Sequence, residues 1–289
     1  MLVSVVIATK NRAEQLRVCL NRFEAIKTTV AWELIVANNG STDATANVIL
    51  EFQRKSTFRL LTVYEPIAGT GRAKNLALQI SKGELVGFID DDCYIEPDYI
   101  DRVTGLFSSP DIGWGGGKVT LHDPRDYPIT IQLSDERRTI PPYSFIMPGF
   151  VVGANMAFRR SVLDQIGGLD PNFGPGNRYV CDDPDVQARA SFAGWSGVYD
   201  PTLRVAHHHG RDAAAAQQLD RTYRHSMGAY YAKFVLRSDT RLTFAKALYW
   251  HYRTKTLLDS LPEAQGAIGY VIRKARKYRR VQRTIPLQR

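Results

Sequence analysis

The sequence predicts an α/β fold, in which a mostly parallel central sheet is flanked by helices and followed by a helical C-terminal appendage. Two observations predict this class. Over the first hundred residues, short β-branched apolar runs alternate with segments whose apolar residues recur at helical spacing, whereas beyond Gly210 only the helical pattern continues. The 289 residues, 44% of them hydrophobic, allow one substantial core and a smaller unit. We therefore predict a main domain at residues 1–212 and a basic helical extension at residues 213–289.

The elements of the first hundred residues follow one another in strand-and-helix order. The first helix is apolar on one face, and the second begins with the capping residues Ser41-Thr42-Asp43. The fourth strand runs directly into Asp90-Asp91-Asp92. The predicted strands cover residues 2–8, 32–37, 58–64 and 85–89, and the predicted helices cover residues 13–26, 42–52 and 71–80.

The middle of the chain has a different composition. After a helix predicted at residues 97–107, Gly, Pro and aromatic residues dominate through Gly149, with Gly115-Gly116-Gly117 and Pro141-Pro142 as interruptions, and no regular element is assigned there. A strand is then predicted at residues 154–158, with helices at 160–166 and 183–193. In the extension, two helical stripes are predicted: Tyr223, Met227, Tyr230, Tyr231 and Phe234, and then Phe244, Leu248, Tyr249 and Tyr252.

The formal net charge of +9 is concentrated at the C-terminus. Eight Lys or Arg residues and no acidic residue occur between Arg273 and Arg289. Such a run can dock on anionic lipid, bind nucleic-acid phosphates or be a solvated end. Aromatic residues accompany it, and on that ground we predict peripheral attachment to an anionic membrane surface through Tyr249, Tyr252, Tyr270, Tyr278 and the basic run.

Cysteine usage and the N-terminal segment favour a cytoplasmic location. The three cysteines, Cys19, Cys93 and Cys181, lack the C-x-x-C spacing of a zinc site or a disulfide framework. The chain runs from Met1 into an apolar strand without the features of a secretion signal, and no eighteen apolar residues occur in succession. We expect a cytoplasmic protein that is attached at most peripherally to the inner face of the membrane.

Three consecutive carboxylates, Asp90-Asp91-Asp92, follow the predicted fourth strand. Ligands in open α/β sheets bind beyond the carboxyl ends of the strands, where Thr9 and Asn38 also fall. Like charges this close oppose one another's ionisation, and a divalent cation such as Mg²⁺ or Mn²⁺ is the simplest remedy. A solvated or helix-capping acidic turn is the alternative that these residues alone leave open.

Five ordered motifs make residues 2–210 resemble the family 2 glycosyltransferases of the GT-A type, including bacterial polysaccharide and rhamnosyltransferase-like enzymes. They are VVIATKNR at residues 5–12, VANNGSTD at 36–43, GTGRAKN at 69–75 with GE and FIDDD leading to residue 92, GANMAFRR at 153–160 and GGLD at 167–170. Each is weak alone, but their order is specific. The resemblance implies the GT-A nucleotide-diphospho-sugar transferase fold, a nucleotide-sugar donor and a Mg²⁺ or Mn²⁺ cofactor.

The resemblance also assigns residues to a metal site. Asp90 and Asp92 form the D-x-D pair, one contacting the ribose or metal and the other coordinating the metal on the diphosphate, with Asp91 between them assisting. In the family, a histidine in the region of His207-His208-His209 often completes the coordination. By its spacing to Gly210, His207 is the favoured ligand, with His209 second.

Four further residues match the positions of the family that bind the nucleotide: Thr9, Asn11, Asn38 and Lys74. Three departures leave the base of the donor open, although a UDP- or dTDP-sugar is favoured. Lys10 stands where relatives have an aromatic residue that could stack on the base, and Asn38 stands where an Asp accepts the N3 hydrogen of a pyrimidine. Lys74 replaces an Arg and keeps its charge without the bidentate geometry.

Asp182 and Asp183 align with the Glu-Asp motif of the family, which implies that Asp183 is the catalytic base. An acceptor alcohol needs such a base, because it is a poor nucleophile until its proton is leaving. From local sequence alone, Asp183-Pro184 is equally ordinary chemistry of a helix start. We predict an inverting transfer to the hydroxyl of a saccharide or lipid-linked acceptor, in cell-surface polysaccharide or glycolipid synthesis.

Two other functions are weighed against this one. A metal-dependent nucleotidyltransferase could use the same aspartates, but it would need a basic phosphate-activating loop for which only Lys10-Asn11-Arg12 is available. A nucleic-acid-binding protein led by the basic tail is the less favoured alternative, because it makes no use of Asp90-Asp91-Asp92. The Gly69-Thr70-Gly71 segment lacks the third glycine of a dinucleotide fingerprint and does not open the first crossover, which argues against a Rossmann dehydrogenase.

Overall fold

The computed structural model describes residues 1–253 and 255–284, and in that part of the chain nine strands and nine helices are built around one sheet. The strands are β1 (Leu2–Thr9), β2 (Ala31–Asn38), β3 (Leu60–Tyr64), β4 (Leu85–Asp90), β5 (Cys93–Ile95), β6 (Ile112–Leu121), β7 (Arg138–Ile140), β8 (Asn155–Arg159) and β9 (Ser196–His207). The helices are α1 (Ala13–Phe23), α2 (Thr45–Lys55), α3 (Thr70–Ile80), α4 (Tyr99–Leu106), α5 (Arg160–Ile166), α6 (Asp182–Phe192), α7 (Ala213–Val235), α8 (Arg241–Tyr252) and α9 (Leu257–Thr284).

The first four strands form a parallel half-sheet. β1 pairs with β2 on one side and with β4 on the other, and β3 lies outside β2. The register places Thr9 opposite Asn38 and Ala8 opposite Asp90, so the carboxyl ends of these three strands meet at one edge. The strands are almost continuously apolar because helices cover both faces of the sheet. The predicted α/β class is confirmed.

Beyond β4 the sheet is mixed, in the order β3-β2-β1-β4-β8-β6-β9-β5, with β7 against β9. β8 runs antiparallel to β4 and β6, whereas β6 and β9 are parallel. β6 passes through Gly115-Gly116-Gly117, in the stretch to which the sequence assigns no regular element. A Cβ on Gly116 would lie 2.2 Å from the carbonyl oxygen of Asn155, and one on Gly117 would lie 2.0 Å from that of Leu203. These glycines permit the close approach of neighbouring chain segments.

A three-residue strand decides which residues meet at the edge of the sheet. β5 follows the aspartate triplet immediately and pairs antiparallel with the end of β9, with Cys93 opposite His207. A strand of three residues is too short to show a periodic pattern in the sequence, and its pairing with β9 is not visible there either. Its consequence is that His207 is brought beside the triplet.

Two hydrophobic clusters cover opposite faces of the sheet. Successive residues of β1 alternate between them, as the pleat of a strand requires: Val5 and Ile7 belong to the first cluster and Val6 to the second. The second cluster also takes in Tyr230 and Phe234 of α7. The helical extension therefore completes the core of the sheet on that face.

Ion pairs connect α7 to α6 and to the segment before it. Lys233 of α7 forms ion pairs with Asp170, at 2.6 Å, and with the fully buried Asp185 of α6. Asp185 also accepts a hydrogen bond from Arg189 at 2.9 Å. The start of α7 is capped by Asp212, whose carboxylate accepts the N–H of Ala215 at 2.8 Å. Because α7 shares this core, the division at residue 212 stays a prediction.

All three cysteines are buried and unpaired. Among the described residues, no helix has the length and apolar character that crossing a membrane requires.

Candidate active site

A cavity of about 810 Å³ opens at the carboxyl ends of β1, β4 and β9. This is the position at which α/β sheets bind ligands, and the volume is that of a typical small-molecule site. Its walls come from the turn after β1, the aspartate triplet, the starts of α3 and α6, the loop after β6 and one face of α7. The polar residues of its lining include Thr9, Lys10, Arg12, Asn39, Lys74, Asp90, Asp91, Asp92, Thr130, Asp182, Asp183, His207, Arg211, Asp220 and Tyr223.

The three aspartates at the end of β4 have different surroundings. Asp91 accepts the hydroxyl proton of Thr9 at 2.6 Å and forms an ion pair with Arg12 at 2.9 Å. Asp92 binds the second arm of the same guanidinium and lies 3.2 Å from Nε2 of His207. Asp91 and Asp92 are buried, whereas the side chain of Asp90 is 44% exposed to the cavity.

Burial and charge set the protonation of this cluster. Burial raises the pKa of Asp91 to about 7, although Arg12 opposes the shift. Burial also opposes ionisation of Asp92, but the hydrogen bond and charge of His207, together with Arg12, lower its pKa. Burial disfavours protonation of His207, yet the hydrogen bond to Asp92 and the charges of Asp92 and Asp90 together outweigh it and raise the pKa of the imidazole.

The residues around Asp92 fit a divalent cation. The potential ligand atoms of Asp92, Cys93 and His207 lie within 4.8 Å of one another. Burial raises the pKa of the Cys93 thiol, which therefore stays protonated and is a poor ligand for a hard cation. A carboxylate and an imidazole remain as donors, with Asp90 facing the same cavity, and such a set suits Mn²⁺ or Mg²⁺.

The three consecutive histidines face different ways. Of these three, only His207 is part of the group around Asp92. His208 turns toward Tyr94, with its Nδ1 3.3 Å from the phenol oxygen. His209 packs its ring against that of His207 at 5.1 Å between centroids, and its Nδ1 accepts the N–H of Arg211. The structure thus brings His207, and not His209, next to the carboxylate of Asp92. Metal binding by either histidine stays a prediction.

Asp183 lies across the cavity, at the start of α6. Its carboxylate accepts the backbone N–H of Gly153 at 3.3 Å. Burial, followed by the charge of Asp182, raises the pKa of Asp183 to about 8. Burial also raises the pKa of Asp182, which the charge of Lys74 partly offsets. Lys74 is itself buried, with its ammonium 4.0 Å from Asp90, so it places a positive charge near both Asp90 and Asp182.

Two residues predicted to contact the nucleotide do not line the cavity. The side-chain oxygen of Asn11 accepts the N–H of Thr42 at 2.7 Å, and that of Asn38 accepts the N–H of Ser41 at 2.9 Å. Both side chains therefore hold turns together, because each turn leaves a backbone donor that needs a partner. The neighbouring Asn39 lines the cavity instead.

Sequence reasoning missed several residues of the cavity wall. The sequence motif that contains Arg12 assigns no role to this residue. Its charge and its place in the turn after β1 are the signal that could have identified it. Arg211 and Tyr223 line the cavity from the junction with α7 and from α7 itself, whereas the sequence assigns no site residue beyond His209. Thr130, whose hydroxyl lies 3.4 Å from Nδ1 of His207, comes from the stretch without a predicted element and leaves no signal.

Comparisons with known proteins agree with this architecture. Residues 4–167 match the family described as Glycosyl transferase family 2. An uncharacterized glycosyltransferase from Nostoc sp. is 25% identical over 177 residues, which cover 59% of this chain and 55% of that protein. The N-acetylglucosaminyl-diphospho-decaprenol L-rhamnosyltransferase of Mycobacterium tuberculosis is 27% identical over 228 residues, with coverages of 63% and 69%. The chain thus spans little more than half the length of the Nostoc relative.

Two solved structures resemble the whole chain at low sequence identity. TarS 1–349 of S. aureus in complex with UDP-GlcNAc has a TM-score of 0.66 at 14% identity, covering 94% of this chain and 81% of that one. The mannosyltransferase PcManGT of Pyrobaculum calidifontis, in complex with GDP-Man and Mn²⁺, has a TM-score of 0.63 at 18% identity, covering 96% and 82%. These likenesses confirm the predicted GT-A fold.

Proposed function

Since this chain belongs to glycosyl transferase family 2 and is a glycosyltransferase, we propose that it moves a sugar from a nucleoside diphosphate to an acceptor hydroxyl with inversion at the anomeric carbon. One observation carries the proposal. The carboxylates of Asp90 and Asp183 belong to different elements but line a single cavity, with the buried Lys74 close to Asp90. The side of the cavity that carries Asp90 and Lys74 can hold a donor diphosphate, and Asp183 can take a proton from an acceptor hydroxyl.

In this mechanism Asp183 is the general base. Its carboxylate accepts the proton of the acceptor hydroxyl as that oxygen attacks the anomeric carbon from the face opposite the diphosphate. The N–H of Gly153 holds the carboxylate in place, and its position at the start of α6 favours the ionised form. Lys74 offsets the negative charge that Asp90 and Asp182 bring to the centre of the cavity.

Asp92 and His207, with Asp90, would hold Mg²⁺ or Mn²⁺. A divalent cation at that place supplies the positive charge that stabilises a departing diphosphate. Thr9 contributes by orienting the carboxylate of Asp91.

We expect the rate of transfer to depend on the ionisation of Asp183. Since burial raises the pKa of this group to about 8, and since a base acts only when ionised, kcat/KM should rise by about tenfold per pH unit up to neutrality and level off above pH 8. The measurement is a pH profile of kcat/KM at saturating Mn²⁺. A profile that falls as the pH rises through this interval would assign the group a different role.

For the donor, we propose a UDP- or dTDP-sugar. Support comes from the TarS structure, which was solved with UDP-GlcNAc, while the mannosyltransferase was solved with GDP-Man. A panel of UDP-, dTDP- and GDP-sugars, incubated with Mn²⁺ or Mg²⁺, tests the proposal through donor hydrolysis. Release of nucleoside diphosphate supports sugar transfer, whereas release of pyrophosphate from a nucleoside triphosphate and a sugar 1-phosphate, supplied in a parallel reaction, would support nucleotidyl transfer instead.

For the acceptor, we propose a saccharide on a lipid diphosphate, as in cell-surface polysaccharide or glycolipid synthesis. The name of the Mycobacterium relative describes such an acceptor. In this chain, the cavity wall beyond Asp183 mixes hydrogen-bonding Asp220 and Tyr223 with apolar Leu219 and Met227 of α7. A wall of this composition suits a sugar attached to an apolar group.

A membrane surface is proposed as the place of this reaction, and the structure changes which residues argue for it. We call the exposed apolar and basic residues of α8 and α9 the apolar–basic face. In α9 its apolar members recur at helical spacing, on the side turned away from α7. The face consists of Leu242, Lys246, Tyr249 and Trp250 in α8, Arg253 directly after it, and Leu261, Ile268, Val271, Ile272, Arg273, Lys274 and Arg276 in α9.

Of the aromatic residues predicted to meet lipid, Tyr249 alone is shown to be exposed. Tyr270 packs inward, with its ring 6.1 Å from that of Phe173, so its assignment to the membrane contact is wrong. Tyr252 is half-buried. The side chain of Tyr278 and the last basic residue, Arg289, lie outside what the structure describes. Trp250, which is 54% exposed, replaces Tyr270 among the aromatic residues proposed to meet lipid.

We expect the double substitution Trp250→Ser and Ile272→Ser to weaken binding to vesicles that contain phosphatidylglycerol by about tenfold, because two apolar side chains no longer enter the lipid. Sedimentation of the full chain with these vesicles, and with vesicles of phosphatidylcholine alone, measures the effect. Leu50→Ser is the control, since Leu50 is 47% exposed on α2. Equal binding by the double variant and the unmodified protein would remove this surface from the proposal.

A further inference from the structure

In the described part of the chain, Arg12 is the one residue whose side chain forms ion pairs with both Asp91 and Asp92. Its Nε lies 2.9 Å from Asp91 and its Nη2 contacts Asp92. The other oxygen of Asp91 accepts the hydroxyl of Thr9, and the other oxygen of Asp92 faces His207. Every oxygen of these two carboxylates therefore has a protein partner, and one guanidinium provides two of the four.

The backbone at Arg12 is fixed while part of its side chain remains accessible. Its N–H donates to the hydroxyl of Thr45 at 3.1 Å, and its carbonyl accepts the N–H of Leu16 at the start of α1. The side chain is 31% exposed and forms part of the cavity wall. A change of contacts by the guanidinium thus needs a change of side-chain torsions only.

A divalent cation that takes Asp92 as a ligand meets two obstacles here. It must replace an existing partner of that carboxylate, and it must approach a positive charge that is already paired with the site. In a partly buried position such repulsion is screened less than in water. A guanidinium released from the carboxylates lies beside the cavity, and its planar donors match the oxygens of a diphosphate.

We propose that Arg12 couples cation binding to nucleotide binding: it competes with the divalent cation for Asp91 and Asp92, and after displacement it binds the diphosphate of the donor. This inference rests on the proposed function, because it uses the same cavity and the same donor class. Coupling between two ligands is reciprocal, so each should bind more tightly in the presence of the other.

The test is a titration of the full-length chain with Mn²⁺ at pH 8, followed by electron paramagnetic resonance, with and without UDP. In the absence of UDP, Arg12→Met should bind Mn²⁺ about tenfold more tightly than the unmodified protein, because the competing charge is gone. A merely structural role of Arg12 predicts the opposite, since loss of a structural contact weakens the site. UDP should tighten Mn²⁺ binding to the unmodified protein and do so much less in Arg12→Met.

Two further variants complete the experiment. Arg17→Met removes an arginine of α1 that pairs with Glu51, and it should leave both affinities unchanged. Arg12→Lys keeps the charge but has a single ammonium, so its affinity for Mn²⁺ should fall between the other two; it also replaces Arg12→Met if that variant does not fold.

Unchanged or weaker Mn²⁺ binding by the Arg12 variants overturns the inference. The same result follows if neither UDP nor GDP alters Mn²⁺ binding, or if the nucleotide alters it equally in variant and unmodified protein. Failure of the proposed function has a separate readout, which is the absence of nucleoside diphosphate release from every sugar nucleotide of the donor panel.

Discussion

Replacement of Asp183 by Asn is expected to lower kcat about 1,000-fold, because the variant keeps the shape of the side chain but cannot accept the proton of the acceptor. Binding of UDP and Mn²⁺ should stay nearly unchanged, since the proposed cation ligands Asp92 and His207 lie outside α6. The amide oxygen of Asn can still accept the N–H of Gly153, so the start of α6 should keep its structure. The measurement pairs single-turnover transfer rates with nucleotide affinity from calorimetry.

A neighbouring and a distant carboxylate serve as controls for that experiment. Asp182→Asn changes a buried carboxyl group of the same turn and should cost much less activity, because Asp183 and not Asp182 is the proposed base. Asp164→Asn changes an exposed residue of α5 and should have no effect. If Asp183→Asn turned over donor and acceptor at a rate within tenfold of the unmodified enzyme, another group would have to be the base.

Replacement of Asp92 by Asn is expected to be the second severe change. It removes the charge of a proposed metal ligand and also leaves Arg12 and His207 without their shared partner. We expect Mn²⁺ affinity to fall by about 100-fold and kcat by about 1,000-fold, since the charge on the departing diphosphate is then poorly stabilised. Manganese titration and transfer assays on the same preparations measure the two effects.

Chelation and Cys93 help to identify the ligands. Treatment of the unmodified enzyme with EDTA should reproduce the loss of activity, and added Mn²⁺ should restore it. Cys93→Ala should retain Mn²⁺ affinity, because the thiol is buried and protonated even though it belongs to the same group of atoms. A large loss of Mn²⁺ binding in Cys93→Ala, with little change in Asp92→Asn, would reverse the assignment.

The parallel half-sheet was predictable because its rules are local. Each of β1, β2 and β4 is a short apolar run between turn residues, and α1 has its buried residues at helical spacing. The same rules failed for β6, whose glycines are typical of a break in regular structure. Those glycines are accounted for only by the carbonyl groups of Asn155 and Leu203, which are distant in sequence.

The site shows the same division. The carboxylates at the end of β4 and at the start of α6 are recognisable from motifs, whereas their partners are not. Arg12 is joined to Asp91 and Asp92 by a contact that depends on the pairing of β1 with β4. The spacing to Gly210 already favours His207, but its position beside the carboxylates depends on β5, which places that residue opposite Cys93.

By itself, then, the sequence determined the fold class, the family and the acidic residues of the cavity, because these follow from periodicity and from motifs of adjacent residues. The tertiary structure decided which groups neutralise those acids, how the histidine favoured by motif spacing comes to lie beside them, and that Tyr223 of the extension lines the cavity near Asp183. The physical reason is that charge and burial act through space. The energy of a carboxylate depends on the groups within a few ångströms, and in this protein those groups come from segments far apart along the chain.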